Sequence, residues 1–406
     1  MIRVGFILEF AGNGWLGGTS YYRNLFSAIA DLPERRIDPV LITSSRGFEP
    51  MKSQFPDVAV VSLPLLDAPS VVGKARRVMR VLSGRDILIE RALKSENIRI
   101  LSHSGYFGQR SRIASIVWIP DFQELTFPGF FSERELAARR RNASNCCRHA
   151  STVLLSSQAA LSDLRKIGVR DIETAVLPFV ASVPLAQDIL PRDQLRTKYG
   201  VADKFFHLPN QFWIHKNHIV VLEALALLRQ QGAVVEVIAT GNTADPRQPD
   251  YFSSLTATAL RLGIEDLFKP LGVVPYQDLM SLMRHAVAVI NPSKFEGWST
   301  TVEEAKSMGK AIVLSDIPVH REQAPDRAAF FPADDARSLA KQMWEAWNRW
   351  DADEDVQFVD RAAANLVGRR AAFARHYEEI VLSTLDRHGA GVKRTAVFAR
   401  QSPQNR

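Results

Sequence analysis

Short runs of aliphatic and β-branched residues recur along the chain, each bounded by Gly, Pro, Ser or Asn and followed by a stretch of helical period. Residues 4–10 and 39–44 read as the first two strands. Between them lie a glycine-rich turn and a helix that starts at Thr19 or Ser20, with Tyr22, Leu25, Phe26 and Ile29 on one face. This is the βαβ order, which sets two parallel strands in one sheet. Further strands are expected at 98–102, 116–119, 151–157 and 174–178. Residues 181–193 contain Pro184 and Pro191 and no helical period, so they read as a linker. The alternation then restarts, with strands at 205–209, 234–240, 268–273, 287–291 and 311–315. Continuous apolar strands of this kind are buried on both faces. The pattern predicts an α/β chain of two doubly wound domains.

The most informative stretch is residues 287–320. Its first strand ends at Pro292, and a loop leads to a helix that Gly309 closes. Ser299 or Thr300 suits the helix N-cap, and Thr300 with Glu303 spells a capping box. Glu303 is read as that capping residue. Glu296 in the loop and Glu304 in the helix bracket a turn of small residues. A helix start leaves backbone N–H groups unpaired and attracts anions. Amides holding a diphosphate, with a carboxylate on each side for sugar hydroxyls, make a sensible site.

Glu296-Gly297-Trp298-Ser299-Thr300-Thr301-Val302-Glu303-Glu304-Ala305, with Gly309 after it, resembles the nucleotide-binding signature of glycosyltransferase family 4, in the GT-B fold group. The resemblance spans roughly residues 1–385 and is strongest at 205–320. It implies two Rossmann-like domains facing a central cleft. Residues 1–183 are the expected acceptor domain and 184–370 the nucleotide-sugar donor domain. Residues 371–386 are expected as a helix crossing back to the first domain, and 387–406 as a basic, unstructured tail. The resemblance also implies that Glu296 contacts the donor sugar, that Glu304 contacts the ribose, and that Gly297, Trp298, Ser299 and Thr300 line the donor.

Other segments fit the same family pattern. Lys216 stands just before a helix start, where a mobile cation near free amides suits a phosphate. The family's Arg after the preceding strand is replaced here by Asn210 or Gln211, so Gln211 is the expected donor contact. Gly241 belongs to a turn that borders the nucleotide in the family, and Val273 to backbone that flanks the base. Gly17-Gly18 matches the family's turn after the first strand, against the donor phosphates and the acceptor. The family often carries His-Asp in the loop after the 116–119 strand. Pro120-Asp121 stands here instead, which leaves Asp121 for an acceptor or general-base role, beside the plain reading of a turn residue next to proline.

Composition narrows the classes. With 406 residues the chain is long enough for two domains. The net charge is +7, but five Lys/Arg and no acid fall in residues 387–406, so the body is about +2 by the same count. That speaks against a nucleic-acid partner. No apolar run reaches the ~18–20 residues of a membrane span. Residues 71–82 form a basic amphipathic segment that reads first as a solvated helix face and also suits an anionic membrane or an acidic acceptor. Cys146 and Cys147 are the only cysteines and are adjacent, which fits a reduced, cytoplasmic setting, with peripheral contact at the inner membrane face kept open.

The expected function is transfer of a mannose-like or glucose-like hexose from a GDP- or UDP-linked donor to a hydroxyl of a glycan or lipid-linked glycan. The resemblance implies retention of anomeric configuration, no essential metal and no permanently bound cofactor. Two alternatives stand beside it. Gly12, Gly14 and Gly17 formally satisfy G-x-G-x-x-G, with Arg46 placed for a 2′-phosphate, as in an NADP-dependent oxidoreductase. The other alternative is a non-catalytic protein that binds a nucleotide sugar.

Overall fold

The computed structural model describes residues 1–9, 16–67, 71–105, 110–169, 172–245 and 247–400; residues 16, 17, 71, 72, 74, 77, 81 and 390–400 are described by their backbone. The chain divides into two compact units, Met1–Phe179 with Arg370–Arg406, and Val180–Arg369.

In the first unit the strands are β1 (Ile2–Ile7), β2 (Ile37–Thr43), β3 (Ala59–Ser62), β4 (Ile98–Ser102), β5 (Ala114–Ile119), β6 (Thr152–Leu155) and β7 (Thr174–Val176). They form one parallel sheet in the order β3-β2-β1-β4-β5-β6-β7. Val4, Phe6, Val40, Ile42, Ile100, Leu101 and Ile116 are buried because helices cover both faces. The order reverses between β1 and β4, so the loops after these two strands diverge and leave a crevice.

In the second unit the strands are β8 (Phe206–Leu208), β9 (Val237–Thr240), β10 (Phe268–Gly272), β11 (Val289–Asn291), β12 (Ile312–Ser315) and β13 (Ala328–Phe331). They too run parallel, in the order β10-β9-β8-β11-β12-β13. The reversal falls between β8 and β11. The core on one face joins Phe206, Leu208, Val221, Leu225 and Leu228 to Leu339 and Met343. On the other, Val289, Ile312 and Leu314 meet Val302, Ala305 and Met308.

Several local expectations change. The first helix runs Leu16–Ala30, so Gly17 and Gly18 lie in its first turn, and Thr19 and Ser20 lie inside it rather than capping it. The last helix runs Ala352–Arg400, so the expected unstructured tail continues as helix to Arg400. A helix once nucleated gains a hydrogen bond with each residue added, which favours continuation over fraying. Residues 401–406 lie outside the described ones. Asp355, in the acidic segment that opens this helix, is buried and accepts from Lys310 Nζ at 2.6 Å, Arg327 Nη1 at 2.7 Å and Arg284 Nη1 at 3.3 Å. Asp351 and Asp353 of the same segment are exposed, and Asp351 caps the N–H of Asp353 and Glu354 at 2.9 Å. Within the first unit the same long helix buries Tyr377 beside Phe6, and Glu378 accepts from the backbone N–H of Arg36 at 2.7 Å. No helix among the described residues is long and apolar enough to cross a membrane.

Candidate functional site

β8 and β11 are neighbours, and the loops that leave their C-terminal ends carry Lys216 and Glu296. Strand order therefore brings together two residues 80 apart in sequence. Lys216 Nζ lies 2.7 Å from Glu296 Oε1 and 2.8 Å from Oε2, and both side chains are largely buried, at 14% and 9% exposure. Burial by itself pushes the Glu296 carboxyl up. Lys216, His320 and Ser293 together outweigh it, and the carboxyl sits below its ordinary range. The pair is thus ionic. An ammonium has three hydrogens, and Glu296 uses two of them.

The next element is the helix Thr300–Met308. Its first N–H groups, those of Thr300, Thr301 and Val302, have no partner among the described residues, as geometry requires of a first turn. Ser299 occupies the N-cap position, but the expected capping bond is absent. Its hydroxyl instead accepts from Asn291 Nδ2 at 2.8 Å, because Asn291 is wholly buried at the end of β11 and needs partners. Asn291 Oδ1 in turn accepts from Asn210 Nδ2 at 3.1 Å and Ser293 Oγ at 2.7 Å. The polar chain from Asn210 to Ser299 ties the β8 loop to the β11 loop.

Glu304, one turn into the helix, is 6% exposed and accepts from the Tyr276 hydroxyl at 3.2 Å. Burial raises its carboxyl to about 7, against the Tyr276 hydrogen bond. Glu303 departs from its expected capping role. It is 1% exposed and accepts from Arg369 Nη2 at 2.7 Å and Gln323 Nε2 at 3.1 Å. The capping-box spacing misleads here because Thr300 is already inside the helix and the Glu303 side chain faces protein.

Gly241 follows β9 with φ +149°, and a Cβ there would overlap the Asn210 carbonyl. Only glycine lets the two turns approach so closely. Gln211 Oε1 accepts from Asn242 N at 2.9 Å, so Gln211 fastens this turn. Val273, just after β10, is 66% exposed. Gly297 and Trp298 lie half-buried in the loop between β11 and the helix, and Thr300 half-buried at the helix start. His215 and His218 are buried by packing. His218 stacks on Phe212 at 4.4 Å, and burial lowers both imidazoles to about 3, so they are neutral. His320 is also wholly buried; its Nδ1 lies 2.9 Å from the Ser315 carbonyl, and burial lowers its pKa.

Asp121, Gly17 and Gly18 belong to the first unit. Asp121 Oδ1 accepts from Gln123 N at 3.1 Å, a turn-forming bond. Gly12 and Gly14 lie outside the described residues. The sequence reading passed over His103. It follows the last residue of β4 with φ +58°, at the crevice where that sheet reverses. Its Nε2 meets the Tyr21 hydroxyl at 2.7 Å and its Nδ1 the Ser102 hydroxyl at 2.8 Å. Burial among Phe6, Tyr21, Tyr22, Trp118 and Tyr377 lowers it to about 3, so it is neutral. A left-handed non-glycine residue at a switch strand is the signal that marks it.

Residues 192–362 match the family model described as "Glycosyl transferases group 1". That stretch of the chain is similar in sequence to group 1 glycosyl transferases. No curated protein matches the chain by sequence. Among solved structures, the chain resembles Anabaena HepE in complex with UDP and glucose, at TM-score 0.68 and 18% identity, covering 94% of this chain and 100% of that one. It also resembles a glycosyltransferase from Rickettsia africae (TM-score 0.64, 12% identity, 95% and 98% covered). A third is the sucrose-phosphate synthase of Thermosynechococcus elongatus (TM-score 0.60, 14% identity, 97% and 100% covered). At these identities the likeness shows the fold, which is the GT-B fold of glycosyltransferases.

Proposed function

We propose that the chain transfers a hexosyl group from a UDP- or GDP-linked donor to a hydroxyl of a glycan or lipid-linked glycan, with retention of configuration and without an essential metal. The observation that carries this reading is the buried Lys216–Glu296 pair beside the first turn of the Thr300–Met308 helix, with Glu304 one turn further on. Negative charge develops on the leaving diphosphate as the sugar–oxygen bond breaks. The third hydrogen of Lys216 and the first-turn N–H groups supply fixed positive partners for it. Glu296, ionised, accepts a hydrogen bond from a sugar hydroxyl, and Glu304 accepts one from the ribose. Gln211, Gly241, Val273, Gly297, Trp298, Ser299 and Thr300 line the nucleotide and sugar. UDP and glucose in the Anabaena HepE complex support a nucleotide-sugar donor. The oxidoreductase reading gives the Lys216–Glu296 pair no task.

The first unit receives the acceptor in this reading, through Asp121 and the Gly17-Gly18 turn. A lipid-linked acceptor brings a membrane with it. The helix Val71–Ser83 exposes Val78 and Leu82, at 58% and 82%, next to exposed Arg80. That face suits an anionic surface at the inner side of the membrane.

The test is a thermal-shift panel of UDP, GDP, ADP, their sugar conjugates and NADPH. A ligand at ~100 times its dissociation constant stabilises the fold by about 2.7 kcal/mol. The expected result is a shift with one nucleoside diphosphate and its sugar conjugate. Donor turnover and the anomeric configuration of the product then follow with a glycan acceptor panel. A shift with NADPH alone overturns the reading. Binding without turnover on any acceptor, or of free donor in water, favours a non-catalytic binding protein.

A further inference from the structure

We propose that Gln323, Glu303 and Arg369 form a clasp that fixes the donor-binding turn, and that Arg369, 66 residues beyond Glu303, is a positioning residue for donor binding. The proposal rests on the donor reading above and adds residues to it that touch no ligand.

Ser299 is the node. Gln323 Nε2 donates to the Ser299 carbonyl at 2.9 Å, and Ser299 N donates to Gln323 Oε1 at 3.1 Å. One side-chain amide thus pairs with both backbone groups of the N-cap residue, as a neighbouring strand would. The same Nε2 reaches Glu303 Oε1 at 3.1 Å. Arg369 donates to the other Glu303 oxygen at 2.7 Å and spans to Ser307 Oγ, one turn on, at 3.4 Å. Asn291 holds the Ser299 hydroxyl from the opposite side. Ser299 therefore has its N–H, carbonyl and hydroxyl all committed, and Gln323 and Ser299 are 1% and 3% exposed.

This arrangement spends Ser299 N–H on Gln323 and leaves the N–H groups of Thr300, Thr301 and Val302 at the helix start. It also locks the direction in which they point. Electrostatic stabilisation of a leaving diphosphate depends on dipoles fixed before the charge develops. A buried carboxylate such as Glu303 is expensive without a cation, and a hydrophobic residue would pack there at lower cost. Its presence is explained if the Glu303–Arg369 bond holds Gln323 in register with Ser299.

The test uses the full-length chain with UDP and GDP as separate probes, titrated by calorimetry, with melting temperature measured in parallel. Gln323→Ala and Arg369→Ala are expected to weaken binding of the nucleotide that the wild type takes by about tenfold, as loss of an orienting partner does. Arg369→Lys is expected to recover part of the loss. The double variant Glu303→Leu, Arg369→Leu removes the ion pair and keeps the core apolar. It is expected to melt near the wild type and still bind weakly, which a purely structural role for the pair does not produce. Wild-type affinity in folded Gln323→Ala and in the double variant overturns the clasp while leaving the donor site in place. Absence of binding by the wild type to either nucleotide overturns the donor reading and the clasp with it.

Discussion

Burial pushes the Glu304 carboxyl up to about 7, and one hydrogen bond from Tyr276 opposes it. The two consequences have opposite signs. Protonated Glu304 is the better buried form, so its contribution to stability is complete below the ordinary carboxyl value of 4.5 and is lost as pH rises through about 7. A ribose hydroxyl, in the proposed reading, binds the ionised carboxylate more strongly than the protonated acid. Between about pH 6 and about pH 8 the ionised fraction rises from roughly one tenth to nine tenths, so affinity for a nucleotide sugar is expected to rise about tenfold. Calorimetry at the two pH values checks this, and Glu304→Gln should flatten the dependence. In the proposed transfer reaction Lys216 acts on the transition state. Lys216→Ala is expected to lower kcat by about 10²–10³ with a smaller change in donor KM, read from steady-state kinetics. Equal kinetics for this variant and the wild type would remove Lys216 from the chemistry.

At the level of elements, the site depends on how closely turns approach. The turn after β9 lies against the backbone of Asn210 and Gln211, and Gly241 makes that possible. Gly241→Ala is expected to cost about 1–3 kcal/mol through a strained backbone conformation and to displace Gln211 from Asn242. Unfolding in urea measures the first effect and donor affinity the second. A variant with unchanged stability would show that the turn yields at no cost. The helix Thr300–Met308 shows where local patterns mislead. Its N-cap residue and its closing glycine are as the sequence suggests. The capping box is not, because Glu303 finds Gln323 and Arg369, 20 and 66 residues away, and no spacing rule sees them. A capping box does form elsewhere, between Ser132 and Glu135, at the start of the helix Glu133–His149.

At the level of the whole molecule, the helix Ala352–Arg400 contributes buried ionic groups to each unit in turn: Asp355 in the second, Glu378 in the first. Asp355→Ala would leave Lys310, itself fully buried, without its carboxylate. The expected loss is about 3–5 kcal/mol, and the double variant Asp355→Leu, Lys310→Met should recover most of it. Melting curves of the three proteins decide this; a single variant as stable as the wild type would show the pair to be dispensable.

The chain by itself determined the alternation of strand and helix, the two-domain α/β class, and the chemical types at the site: Glu296, Glu304 and Lys216, each beside a strand end or a helix start. These are local properties, set by apolar periodicity and by the residues that end a strand or begin a helix. Tertiary structure decided which residues meet. Lys216 reaches Glu296 because β8 lies beside β11, and strand order is a property of packing. Ser299 is held by Asn291 and Gln323, and Glu303 by Arg369, because buried polar groups take whatever partner the fold brings within reach. His103 stands out only through its backbone conformation. Sequence distance does not encode these meetings, since contacts of 8 to 80 residues are fixed by burial and hydrogen-bond satisfaction.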